Sequence, residues 1–106
     1  MDLSHTFKDL SAKVDSGFDD AVEQLTRHVA VRSVSSQRPD GVRSGAEFVA
    51  AAAKEAGAAD VTVVTENDGL PAVIAHWPAP EGMPTVLLYS HCLLYTSDAA
   101  DDLLCV

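Results

Sequence analysis

The sequence predicts an α/β fold in which N-terminal helices are followed by three strands. Three observations carry this. Up to about position 56 the apolar residues recur at spacings of three and four, the period of a helix with one apolar stripe. After Gly57 the period falls to two, in short runs rich in β-branched residues. Between those runs stand turn-forming clusters, Asn67-Asp68-Gly69 and then Pro80, Glu81, Gly82 and Pro84.

The elements follow in chain order. In residues 1–15, Leu3, Phe7, Leu10 and Val14 are spaced by four, three and four, which predicts a short amphipathic helix. Ser16 with Asp19 three residues on resembles a capping box. It opens a helix over 16–31 whose buried face is Phe18, Ala21, Val22, Leu25 and Val29. Residues 32–40 are a breaker-rich loop, and Asp40 can cap the next helix. That helix lines Val42, Ala46, Val49, Ala53 and Ala56 along one side and ends at Gly57, where a left-handed residue is expected. Asp60–Thr65 and Ala72–Trp77 read as strands, the second stopped by Pro78. Thr85-Val86-Leu87-Leu88-Tyr89 is a nearly continuous apolar run, the pattern of a strand covered on both faces.

Composition narrows the function classes. The chain has 106 residues, 16 acidic against 7 basic, and a formal charge of −9. Such a chain repels phosphate backbones, so no nucleic-acid partner is expected. Apolar residues are 47% of the sequence, too many for a disordered chain. No apolar stretch approaches the roughly 18 residues that span a bilayer, and the N-terminus lacks a signal peptide's pattern. The expectation is therefore a soluble, cytoplasmic protein without a membrane partner. Both cysteines, Cys92 and Cys105, fall in the last fifteen residues, which does not support a secreted disulfide framework.

Residue chemistry alone yields one suggestive position. His91 follows the third apolar run, and in open α/β sheets functional groups gather beyond the carboxyl ends of strands. An imidazole there can ligate a metal, or can equally be a hydrogen-bonded edge residue. His28 borders a helix stripe with no second ligand-type residue to pair with it. His76 alternates with Ile74 and is expected to face solvent or a neighbouring helix. Asp2, His5 and Asp9 could share one helix face, though terminal helices fray. Ser33, Ser35 and Ser36 have no nearby group to act as their base. No phosphate loop, nucleophile elbow, Cys-x-x-Cys pair or His-Glu-x-x-His helix occurs.

Taken together, a series of segments resembles the N-terminus of the co-catalytic di-zinc peptidase and deacylase family. They are Val31-Arg32-Ser33-Val34-Ser35, Val42-Arg43-Ser44-Gly45-Ala46-Glu47-Phe48, Ala56-Gly57 before Val61-Thr62-Val63-Val64, Pro71-Ala72-Val73-Ile74-Ala75, and Pro84-Thr85-Val86-Leu87-Leu88-Tyr89-Ser90-His91. That family includes carnosinase-type dipeptidases, glutamate carboxypeptidases, aminoacylases and succinyl-diaminopimelate desuccinylase. The Pro-Thr-Val-Leu-x-Tyr wording is similar to the dipeptidase branch. The resemblance implies that residues 1–91 are the N-terminal part of a zinc peptidase catalytic domain, with its three strands belonging to a larger mixed sheet. It implies a parent enzyme using two zinc ions on a small peptide or N-acyl amino acid, and allows that parent to be a homodimer.

One residue carries over. His91 matches the family's first zinc-ligating histidine, while the bridging aspartate expected two residues later is Leu93. No counterpart of the catalytic glutamate or the later ligands is present, so no catalytic residue is assigned and the chain itself is expected to be inactive. The tail explains the departure. Cys92-Leu93-Leu94-Tyr95-Thr96-Ser97-Asp98-Ala99-Ala100-Asp101-Asp102 resembles a translated transposase sequencing adapter, whose mosaic end TGT CTC TTA TAC ACA TCT encodes Cys-Leu-Leu-Tyr-Thr-Ser. Residues 92–106 are then a non-native tail, and without its aspartates the charge is −6. The rival readings are a deacylase of the same family and a non-catalytic acidic α/β module that binds a partner through an exposed sheet edge.

Overall fold

The computed structural model describes residues 3–34, 39–66 and 69–92. The described elements are three helices, α1 (Ser4–Ser16), α2 (Phe18–Ala30) and α3 (Pro39–Glu55), and two strands, β1 (Asp60–Val64) and β2 (Ala72–His76). The mixed helix-and-strand composition agrees with the sequence expectation. The chain divides into two compact units, residues 1–30 and 31–106.

In the first unit α1 and α2 are nearly one helix. The Gly17 N–H donates to the Lys13 carbonyl and the Ala21 N–H to the Gly17 carbonyl, both at 3.0 Å, so the i→i−4 ladder crosses the junction. Ser16 does not cap α2. Its hydroxyl donates instead to the Lys13 carbonyl at 3.1 Å, the back-bonding to a preceding turn that bends helices at Ser/Gly pairs. Asp19 and Asp20 in the first turn of α2, and Arg27 and His28 in its last, complement the helix dipole. The expected buried face of α2 is not buried. Phe18 is 61% exposed and Leu25 60%, and the α1 stripe is equally open, with Phe7 at 73%. Helical spacing specifies a stripe, but burial requires an opposing element, and the described residues of this unit supply none.

The second unit packs α3 against an antiparallel β1–β2 hairpin. The register pairs Asp60 with His76, Thr62 with Ile74 and Val64 with Ala72, symmetric about sequence position 68 within the expected turn. Half-buried Val61, Val73 and Ala75 share the face toward α3, while Thr62 and Ile74 lie on the open face. Along α3 the core is Val42, Ala46 and Ala50, joined by half-buried Val49 and Ala53. Ala56, expected on that stripe, lies beyond the helix and is exposed. Asp40 is inside the first turn and does not cap it. Its carbonyl accepts the Ser44 hydroxyl at 3.1 Å and its carboxylate lies 3.6 Å from Arg43, because Pro39 already starts the helix.

The C-terminus of α3 is a Schellman motif. Gly57 has φ +91° and its N–H donates to the Lys54 carbonyl, while the Ala58 N–H reaches back to Ala53, both at 3.0 Å. The Ala56 carbonyl, left over by this motif, accepts the Trp77 indole N–H at 3.1 Å and ties the end of β2 to the end of α3. Gly57→Ala therefore places a Cβ at positive φ and is expected to cost about 1 kcal/mol in chemical denaturation. Trp77→Phe keeps an aromatic ring but orphans that carbonyl, an expected loss of about 0.5–1 kcal/mol, since the site is half exposed.

The third strand is the largest departure. Residues 83–92 have no regular secondary structure, and Leu87 is 90% exposed. Among the described residues, Thr85–Tyr89 form no backbone ladder with β1 or β2. A run apolar on both sides needs strands beside it and layers above and below. Among the described residues this unit offers one helix and one hairpin.

Candidate functional site

His91 stands beyond the Thr85–Tyr89 run, as its sequence position requires, but in an exposed, irregular segment. The turn that leads into this segment closes between the Met83 N–H and the Pro80 carbonyl at 3.2 Å, with Gly82 at φ +86°, the pattern of a type II turn. Beside His91, the Cys92 thiol contacts the Ser90 hydroxyl at 3.6 Å, and Cys92 is a free, exposed cysteine. Among the described residues, the segment joins no sheet.

The other sequence candidates are dispersed. His5 is exposed on α1 and His28 half-buried on α2, at the border of the stripe as expected. His76 is exposed at the end of β2, with Nδ1 3.7 Å from an Asp60 carboxylate oxygen. The hairpin register creates that pair, which sequence reading missed. Equal distances of Asp60 and His76 from the Asn67-Asp68-Gly69 turn were the available signal. It is an ion pair only when the imidazole is protonated, and exposure limits its worth. Asp2, Ser35, Ser36, Leu93 and Cys105 lie outside the described residues.

Ser33 is the most buried polar residue, 1% exposed, and its hydroxyl has no hydrogen-bond partner among the described residues. It lies against the buried Gly45 of α3. A Cβ built on Gly45 would stand 3.4 Å from the Ser33 Cβ and 3.9 Å from Val31. Gly45 is thus where the segment before α3 approaches the helix. Alanine fits that spacing at ordinary contact and removes a helix-interior glycine, so Gly45→Ala is expected to raise stability by up to about 1 kcal/mol. A larger side chain would push Ser33 away.

Among the described residues, no three His, Cys, Asp or Glu side chains come together as a metal site. The described residues around His91 do not make up a zinc site. Among the described residues, no helix is long and apolar enough to cross a membrane. Comparison with protein-family models, curated proteins and solved structures finds no match to this chain.

Proposed function

We propose that residues 1–91 are the N-terminal part of the catalytic domain of a zinc-dependent metallopeptidase, a dipeptidase, joined after His91 to a non-native tail. The observation that carries this reading is the ordered series of segments ending in Pro84-Thr85-Val86-Leu87-Leu88-Tyr89-Ser90-His91. The open apolar stripes of α1 and α2, and the open run at Val86–Tyr89, support it as surfaces that a larger domain would cover. In that domain Thr85–Tyr89 would be the third strand of a larger mixed sheet. His91 would then be the first ligand of a two-zinc site completed by residues this chain lacks, and the substrate a small peptide.

Reading the source locus across codon 91 tests the proposal. An acidic codon two positions after His91, in frame with further ligand codons, is the expected result. Genomic sequence encoding Cys92–Val106 overturns it. The same proposal expects a tail never selected to pack, so deleting residues 92–106 should change unfolding free energy by less than about 0.5 kcal/mol. A deacylase would share this architecture, and a panel of dipeptides and N-acyl amino acids offered to the recovered enzyme separates the two.

A further inference from the structure

The outer edge of β2 and the segment that follows the hairpin are both left without a strand partner among the described residues. β2 is Ala72-Val73-Ile74-Ala75-His76, five residues without a lysine, acidic residue or proline to blunt its outer edge. Thr85–Tyr89 is also five residues long, β-prone, and exposed along its length, with Val86 at 76% and Leu88 at 88%. In a chain of charge −9, residues 82–92 carry no acidic or basic side chain other than His91. Like-charge repulsion between copies is therefore weakest where this segment would meet β2.

From these features we infer that the chain self-associates by strand addition, with Thr85–Tyr89 of one copy pairing along the β2 edge of a second copy. Period-two alternation places Leu87 on one face and Val86 and Leu88 on the other. In one register Leu87 lies beside Ile74 on the open face, while Val86 and Leu88 extend the Val73–Ala75 face beneath α3. The contact is heterologous: each copy gives a strand and receives one, so copies add head to tail, closing only where the rotation between them returns to its start. A single five-residue pairing buries far less than the ~1,200 Å² of a standard stable interface. Isolated dimers are consequently weak, and oligomers longer than two form as concentration rises.

Sedimentation velocity of the full chain across a concentration series is the test. The expected result is a monomer at low concentration giving way to a broad distribution of larger species. Leu87→Pro removes a ladder donor and Leu88→Lys sets a charge on the inner face. Each should raise the concentration at half-association by about tenfold or more, the scale of one lost hydrogen bond with its packing. Neither position lies in a helix or strand, so an unchanged far-UV circular dichroism spectrum certifies the variants. Two controls carry substitutions elsewhere, Phe7→Ser with Leu25→Ser on the helix stripes, and Leu103→Ser with Leu104→Ser in the tail. Both should associate as the parent chain does. A monomer at every concentration overturns the inference. So does association lost through the stripe or tail variants, or retained in Leu87→Pro.

Discussion

Incubated with zinc and a panel of dipeptides, this chain is expected to release product no faster than zinc-containing buffer. If the proposed function holds, the protein encoded by the recovered gene should exceed that background by at least about 10⁶-fold, the lower end of enzymatic accelerations. The expectation follows from counting ligands. A catalytic zinc takes about three protein ligands and keeps one position open, and it needs a nearby base to make its bound water a nucleophile. Here His91 is the one residue the family resemblance assigns as a ligand, and among the described residues no ligand cluster surrounds it.

Two variants make the argument specific. Leu93→Asp restores a carboxylate two residues after His91 in this chain, and is still expected to be inactive because the remaining ligands and the base are missing. His91→Ala in the recovered enzyme should abolish turnover and lower bound zinc, measured by atomic absorption on the purified protein. Turnover by the chain as it stands would overturn the reading of an incomplete site, and full activity and zinc content in that alanine variant would remove His91 as a ligand.

The elements that sequence made legible are those governed by local rules. Gly57 at the end of α3, the apolar spacing within each helix, and the two strands on either side of position 68 depend on residues within a few positions of each other. All appear where local chemistry puts them. The readings that departed concern partners. Ser16 could cap the following helix or bond back to Lys13, and the continuous ladder through Gly17 decided for the second. The stripe of α2 and the run at Thr85–Tyr89 are apolar in patterns that ordinarily signal burial, yet burial is a property of what else is present. Of a candidate site the sequence offered only His91, and among the described residues no other ligand-type side chains gather with it into a metal site. The Asp60–His76 pair shows the converse, a contact set by register and missed because neither residue alone carries a motif.

Val42→Ala is expected to unfold most of the second unit near room temperature. Val42 is 2% exposed and is the largest apolar side chain in a core otherwise made of Ala46 and Ala50. Removing its two methyl groups forfeits about 1.5–2 kcal/mol of burial, with a further term for the space left behind. In an ordinary domain that is a fraction of the 5–15 kcal/mol available. Among the described residues this unit is a single helix on a two-stranded hairpin, smaller than a self-sufficient core normally needs, so its margin lies at or below the low end of that range. The loss should appear as a collapse of amide protection in β1 and β2 by hydrogen exchange. Protection in α1 and α2 should stay as it was, because those helices belong to the other unit. Val42→Ile, which keeps the branched side chain and adds one methylene, should leave the hairpin protected. If Val42→Ala retains full protection in β1 and β2, the stability of this unit does not come from the α3 stripe, and the packing of α3 on the hairpin is not what holds it together.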